Sequence, residues 1–134
     1  MFKLQIWIVL LGATALFFSC NKNPWRDGEW LYGKQCASCH GPEGKGLGAL
    51  IPPLAGSDYL GAQRDILPCI VRYGLKDTIT VNGKNYTEPM AGLPQLTDIE
   101  ITNILNYVNN AWGNQNGVYQ LGEVRQLLEK CRPE

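Results

Sequence analysis

Apolar positions recur most regularly late in the chain, where Ile101, Ile104, Leu105, Val108 and Trp112 share one helical face before Gly113. Thr97 and Glu100, just ahead, form the Thr-x-x-Glu pattern of a capping box, so a helix should open at Thr97. Nearer the N-terminus, Asp27 can cap a helix running through Trp30, Leu31 and Tyr32 to Cys36 and Cys39, with Gly41-Pro42 as its stop. Asp65 to Tyr73 predicts another, with Pro68 tolerated in the first turn and Gly74 at the C-terminus. Ser57 or Asp58 opens a shorter helical turn, and Val124, Leu127, Leu128 and Cys131 mark one side of a last amphipathic helix. The period changes once: Thr78-Ile79-Thr80-Val81, Asn82-Gly83 and Lys84-Asn85-Tyr86 read as a tight β-hairpin of two very short strands. From Gly41 to Gly56 the chain holds five Gly and three Pro. A loop that long inside a compact domain is usually functional or wrapped around something.

The first apolar run has a different character. Lys3 precedes the stretch Leu4 to Phe18, broken only by Gln5, Gly12 and Thr14 and ending at Ser19-Cys20, as in a signal peptide. The stretch is shorter than the ~20 residues of a spanning helix, although an uncleaved tilted anchor is a competing reading. Leu16-Phe17-Phe18-Ser19-Cys20 resembles the lipobox of bacterial lipoproteins, in which cleavage leaves the Cys as a lipidated N-terminus; Phe17 stands where that pattern prefers Leu. On this reading residues 1–19 are a signal peptide, 20–26 a lipidated tether and 27–134 the folded domain with a C-terminal helical extension. The expected location is outside the cytoplasm, on the periplasmic side or outer membrane of a bacterium, with Cys20 carrying the lipid. An ordinary secretory signal that ends in Cys is the alternative, and it also delivers the domain to an oxidising compartment.

Composition narrows the class. A chain of 134 residues, 45% hydrophobic and 18% charged, suits one globular domain and not a disordered segment. The 12 basic residues balance the 12 acidic ones, and no aromatic-interleaved basic patch stands out, so nucleic acid is not an expected partner. With 15 Gly and 8 Pro the domain is loop-rich, and a small loop-rich domain struggles to bury enough apolar surface unless a cofactor fills its interior.

The chemistry-bearing residues are few. Cys36-Ala37-Ser38-Cys39-His40 contains the sole histidine, and Cys-x-x-Cys-His is the attachment sequence of haem c: two thioethers fix the porphyrin while the adjacent imidazole reaches the iron. A helical turn presents all three groups to one side of a ring. A thioredoxin-type redox pair would sit in a βαβ context, which the pattern lacks. A zinc site would need four ligands, and beyond these residues only Cys69 and Cys131 remain, neither in a knuckle-like pair. Met90, the only methionine besides the initiator, lies 50 residues after His40 in the loop Thr87-Glu88-Pro89-Met90-Ala91-Gly92. A thioether there would complete the axial pair and favour ferrous iron. A gap-filling core methionine is the plainer role.

These motifs resemble the class I cytochrome c family, and the likeness runs from about Asp27 to Trp112. In that family a Gly and an aromatic, eight and four residues before the first haem Cys, pack on the last core helix; Gly28 and Tyr32 hold those positions, with Ile104 and Tyr107 as their expected partners. The family's Pro-x-Leu-x-Gly run is matched by residues 52–56, which implies that the Pro52 carbonyl accepts a hydrogen bond from the ligating imidazole and that Leu54 borders the haem. The implied fold is all-α: three to five short helices around one covalent haem c, with a small hairpin before the axial Met and an extra C-terminal helix. The hairpin and the Trp112-Gly113-Asn114 ending are similar to cytochrome subunits attached to periplasmic dehydrogenases, nitrite reductases and haem-copper oxidases. Simple family members lack the C-terminal helix and the additional cysteines. With Cys20, Cys36 and Cys39 assigned, Cys69 and Cys131 are left to form either a disulfide or two buried thiols.

The implied function is single-electron transfer, not enzymatic catalysis. Iron held by His40 and Met90 offers no open position, so the protein would set the potential and the docking face for a redox protein or oxidoreductase complex. With Lys3 set aside, 11 basic and 12 acidic residues remain, which favours docking through an apolar rim, of which Gly44 to Ile51 are part, over long-range steering. Two alternatives stand beside it: a haem-bearing sensor in which a small ligand displaces Met90, and a structural subunit that holds a larger oxidoreductase on the membrane.

Overall fold

The computed structural model describes residues 23–131. Cys20 and the whole leader lie outside the described residues, as does the end of the chain after Cys131. Within the described residues six α-helices and four short strands follow one another: α1 (Arg26–Gln35), α2 (Ala37–His40), α3 (Asp58–Ala62), α4 (Leu67–Tyr73), β1 (Gly74–Leu75), β2 (Ile79–Val81), β3 (Lys84–Tyr86), β4 (Met90–Ala91), α5 (Asp98–Asn110) and α6 (Leu121–Lys130). Among the described residues five α-helices precede the C-terminal α6, in keeping with the expected three to five plus an extra C-terminal helix, while all-α gives way to a helix-rich fold with two antiparallel ladders, β1 with β4 and β2 with β3. Among the described residues no helix is long and apolar enough to cross a membrane.

Local sequence explains most boundaries. Thr97 Oγ1 accepts from the Glu100 amide at 3.3 Å while Glu100 Oε2 accepts from the Thr97 amide at 2.7 Å, a complete capping box on α5. Asn82 and Gly83, at φ 50° and 75°, form the tight turn of the β2–β3 hairpin. Pro68 sits in the first turn of α4, and a 3₁₀ turn over Arg64–Ile66 replaces the start expected at Asp65.

Three expectations need correction. Asp27 does not cap α1: it lies inside the first turn, and Asn23 organises the entry by accepting from the Trp25 amide at 2.9 Å and donating to Glu29 at 2.7 Å. Trp112 is not on the face of α5, because that helix ends at Asn110 and Trp112 turns out of it at φ 54°. Its ring instead packs on Tyr32 and Tyr107, with centroids 5.1 and 5.3 Å away. Met90 belongs to a strand and not a loop, since β4 pairs with β1 in the register Leu75 to Met90.

The core is organised on α5, whose Ile101, Ile104, Leu105 and Val108 are buried. Helix α1 crosses it at Gly28, where a Cβ would overlap the Asn103 carbonyl oxygen and come within 2.8 Å of Tyr107 Cβ. The nearest partners of Gly28 are thus Asn103 and Tyr107, while Ile104 turns to the interior. Helix α6 packs on α4 and α5 through Val124, Leu127 and Leu128. A disulfide joins Cys69 of α4 to Cys131, with Cα atoms 6.0 Å apart. Arg64 reinforces this docking: its guanidinium donates to the Asn116 and Val118 carbonyls at 3.1 and 2.8 Å, pairs with Glu123 at 3.2 Å and stacks on Tyr119. The Tyr119 hydroxyl returns a hydrogen bond to the Arg64 carbonyl at 2.6 Å. Burial, which outweighs the opposing pull of Arg64, pushes that phenol up to about 12.

Candidate cofactor site

The helix that leads into the two cysteines breaks at Cys36. Cys36 closes α1, α2 spans only Ala37–His40, and Gly41 at φ 77° reverses the chain at once. His40 is thereby buried, 8% exposed. Its Nδ1 lies 3.1 Å from the Pro52 carbonyl oxygen, and since a carbonyl can only accept, the proton belongs on Nδ1 and the lone pair on Nε2. Burial lowers the affinity of the ring for a second proton, partly opposed by the bond to Pro52, so the imidazole is kept neutral, as a metal ligand must be.

Both neighbouring thiols are free, Cys39 exposed and Cys36 half-buried. Burial, and after it the proximity of Cys39, pushes the Cys36 thiol up to about 11. A thioredoxin-type nucleophile needs the opposite shift, so the pair is poorly suited to disulfide exchange. Among the described residues no three His, Cys, Asp or Glu side chains cluster as a metal-binding group.

Beside these groups lies a cavity of about 360 Å³, a size typical of cofactor sites. Cys36, Cys39 and His40 line it together with Pro52, Leu54 and Met90. Its walls are apolar: Leu67 and Val71 from α4, Ile104, Leu105 and Val108 from α5, and Val81 and Tyr86 from the hairpin. Met90 reaches it because β4 passes close to β1. A Cβ on Gly74 would overlap the Met90 carbonyl, and one on Gly92 would approach the Arg72 carbonyl oxygen to 2.7 Å. The Gly residues were visible in the sequence, but two-residue strands carry no period by which to pair them.

The profile of the cytochrome c family matches residues 26–112. The chain belongs to the cytochrome c family. It is 36% identical over 131 residues to a cytochrome c-552 of Thermus thermophilus, covering 91% of this chain and 83% of that protein. A stretch of 31 residues is 61% identical to the thiosulfate dehydrogenase electron acceptor of Stutzerimonas stutzeri, covering 22% of this chain and 14% of that one. The cytochrome c subunit of a quinone alcohol dehydrogenase from Gluconacetobacter polyoxogenes is 25% identical over 109 residues, 76% of this chain and 22% of that subunit. As a cytochrome c, the protein binds one covalent haem c and transfers electrons. The residues present fit that group: two free thiols, a neutral imidazole with Nε2 unoccupied by the Pro52 bond, and an apolar cavity shared by all three.

The sequence places Asn114 in the Trp112-Gly113-Asn114 ending without marking any role for it at the site. Asn114, 8% exposed, bonds to Leu54, Gly56 and Val108 from beyond the end of α5. An isolated Asn after a helix has no local signal that would mark such long-range bonds.

Proposed function

We propose that this cytochrome is an extracytoplasmic single-electron relay whose haem iron is held between His40 and Met90. The observation that carries the reading is the cavity itself, where Met90 and the Cys36-Cys39-His40 cluster line the same apolar space. Bound there, haem c supplies one-electron exchange between ferrous and ferric iron. Cys36 and Cys39 attach it, His40 offers Nε2, and the Pro52 carbonyl orients the ring and raises its basicity. Met90 offers a thioether, which favours the reduced state. Leu54, Leu67 and Val108 exclude water, so the site tolerates a change of charge with little solvent rearrangement. Around the cavity no Arg and no second His is present among the described residues, which supports electron transfer over peroxide chemistry at a vacated Met90 position.

The loop from Gly44 to Ile51 supplies the docking rim. Leu47 and Leu50 are 58% and 56% exposed, and Leu50 and Ile51 also border the cavity. Lys84 Nζ donates to the Gly48 carbonyl at 3.0 Å and steadies the loop against the hairpin. The electron acceptor and dehydrogenase subunit among its relatives support an oxidoreductase as the partner. Lipid attached at Cys20 would hold the domain near a membrane-bound partner while leaving it in water.

The deciding experiment is near-infrared absorption of the oxidised protein. Sulfur ligation gives a weak charge-transfer band that Met90→Ala should abolish; persistence of the band in that variant would overturn the assignment. For the tether, mass spectrometry of the native N-terminus should find an acylated Cys20, and an unmodified or intact N-terminus would defeat it.

A further inference from the structure

The cavity wall that carries Pro52 is tied to the end of α5 by the buried amide of Asn114. Asn114 lies two residues beyond the family match, which ends at residue 112. Its Nδ2 donates to the Leu54 and Val108 carbonyls at 2.9 and 2.8 Å, and its Oδ1 accepts from the Gly56 amide at 2.8 Å. The side chain thus joins the C-terminal turn of α5 to both ends of the short run following Pro53. The run is braced from the other side as well: the Gly44 carbonyl accepts from the Leu54 and Ala55 amides at 2.7 and 2.9 Å. Gly46 completes the frame, since its amide donates to the His40 carbonyl at 2.8 Å and a Cβ there would come within 2.7 Å of the Pro52 oxygen.

We infer that Asn114 is a positioning residue for the haem ligand: by clamping Leu54 and Gly56 it holds the Pro52 carbonyl against His40 Nδ1, and so sets the orientation and basicity of the imidazole. The inference rests on the reading of His40 as the axial ligand. A hydrogen bond at Nδ1 increases electron donation through Nε2, which stabilises ferric iron. Loosening the clamp weakens that bond and favours the ferrous state. Because Asn114 is fully committed, with both amide hydrogens and the oxygen engaged, alanine removes every tie at once.

The test uses the haem-loaded full chain carrying Asn114→Ala, with Arg64→Ala as comparison. Arg64→Ala breaks a similar set of bonds to Asn116, Val118 and Glu123 without touching residues 52–56. Redox titration and electron paramagnetic resonance of the ferric state are read for each. Asn114→Ala should shift the reduction equilibrium about threefold toward ferrous, or ~30 mV at ~59 mV per tenfold for one electron, and alter the g-value anisotropy that reports the ring orientation. Arg64→Ala should lose thermal stability with both readouts unchanged. Wild-type values for Asn114→Ala, or equal shifts in both variants, would overturn the inference. Should alanine prevent folding, Asn114→Ser is judged by the same two readouts. A wild-type ferric spectrum without low-spin imidazole ligation would overturn the reading of His40 together with the clamp, which separates the two failures.

Discussion

Gly28 and Gly33 sit on the same helix and should answer alanine in opposite ways. At Gly33 a Cβ meets nothing within 4 Å, so Gly33→Ala should gain helix propensity alone, ~1 kcal/mol. At Gly28 the same Cβ overlaps the Asn103 carbonyl, a backbone atom of α5 that no rotamer change can move aside. Overpacking of this kind costs ~1–3 kcal/mol, and a backbone obstacle places it at the upper end. Subtracting the ~1 kcal/mol propensity gain leaves Gly28→Ala about 2 kcal/mol less stable. At ~4 °C per kcal/mol for a domain of this size, Gly28→Ala should melt ~8 °C below wild type and Gly33→Ala ~4 °C above it. Thermal unfolding of the oxidised holoprotein, followed by far-ultraviolet circular dichroism, measures both. The displacement of α1 should also reach Cys36 at its C-terminus, so the Soret band should broaden only in Gly28→Ala. Equal melting temperatures for the two variants would refute the reasoning, because they would mean that the crossing of α1 on α5 is not limited by backbone contact.

Other perturbations address the remaining ties. The Cys69–Cys131 disulfide closes a separation of 62 residues, so its loss by Cys131→Ser should cost up to ~4 kcal/mol on the chain-entropy account; denaturant titration that finds less than ~1 kcal/mol would show α6 held by packing alone. Gly74→Ala, at φ 83° and against the Met90 carbonyl, should push β4 from β1 and weaken the near-infrared sulfur band, whereas an unchanged band would mean that Met90 does not depend on that ladder. Tyr119 is raised from 10.0 to about 12, so the folded state holds its proton where the unfolded chain has lost it. Its contribution is complete below pH 10 and is lost as pH rises toward 12; Tyr119→Phe should flatten this part of the alkaline unfolding curve, and an unaltered slope would refute the assignment.

Elements built from local chemistry were legible in the sequence. The Thr97–Glu100 box, the Asn82-Gly83 turn and the Gly74 stop each depend on neighbouring residues, and each occurs where the pattern placed it. Errors arose where a distant partner decided. Asp27 is an ordinary capping residue, but Asn23 reaches both Trp25 and Glu29 and starts the helix earlier. Trp112 has the spacing of a fifth core position, yet Tyr32 and Tyr107 draw its ring out of the helical path. Arg64, Asn106 and Asn114 knit loops to helices through carbonyls dozens of residues away or beyond a turn, and polar residues in such places look like surface in a one-dimensional pattern.

The disulfide divides the chain in a way that bears on the two residues proposed to hold the iron. Cys69 and Cys131 close a covalent ring of backbone that contains the hairpin, β4 and α5, and therefore Met90. Cys36, Cys39, His40 and Pro52 lie on the open arm that precedes it. Met90 is thus confined by chain topology even when its local contacts loosen, while on the proposed attachment the Cys36-Cys39-His40 arm would be confined by its own bonds to the macrocycle. On the proposed ligation each side of the cofactor would have a separate mechanical restraint, and loss of Met90 from the iron would be a small, recoverable excursion that does not part the two halves of the protein.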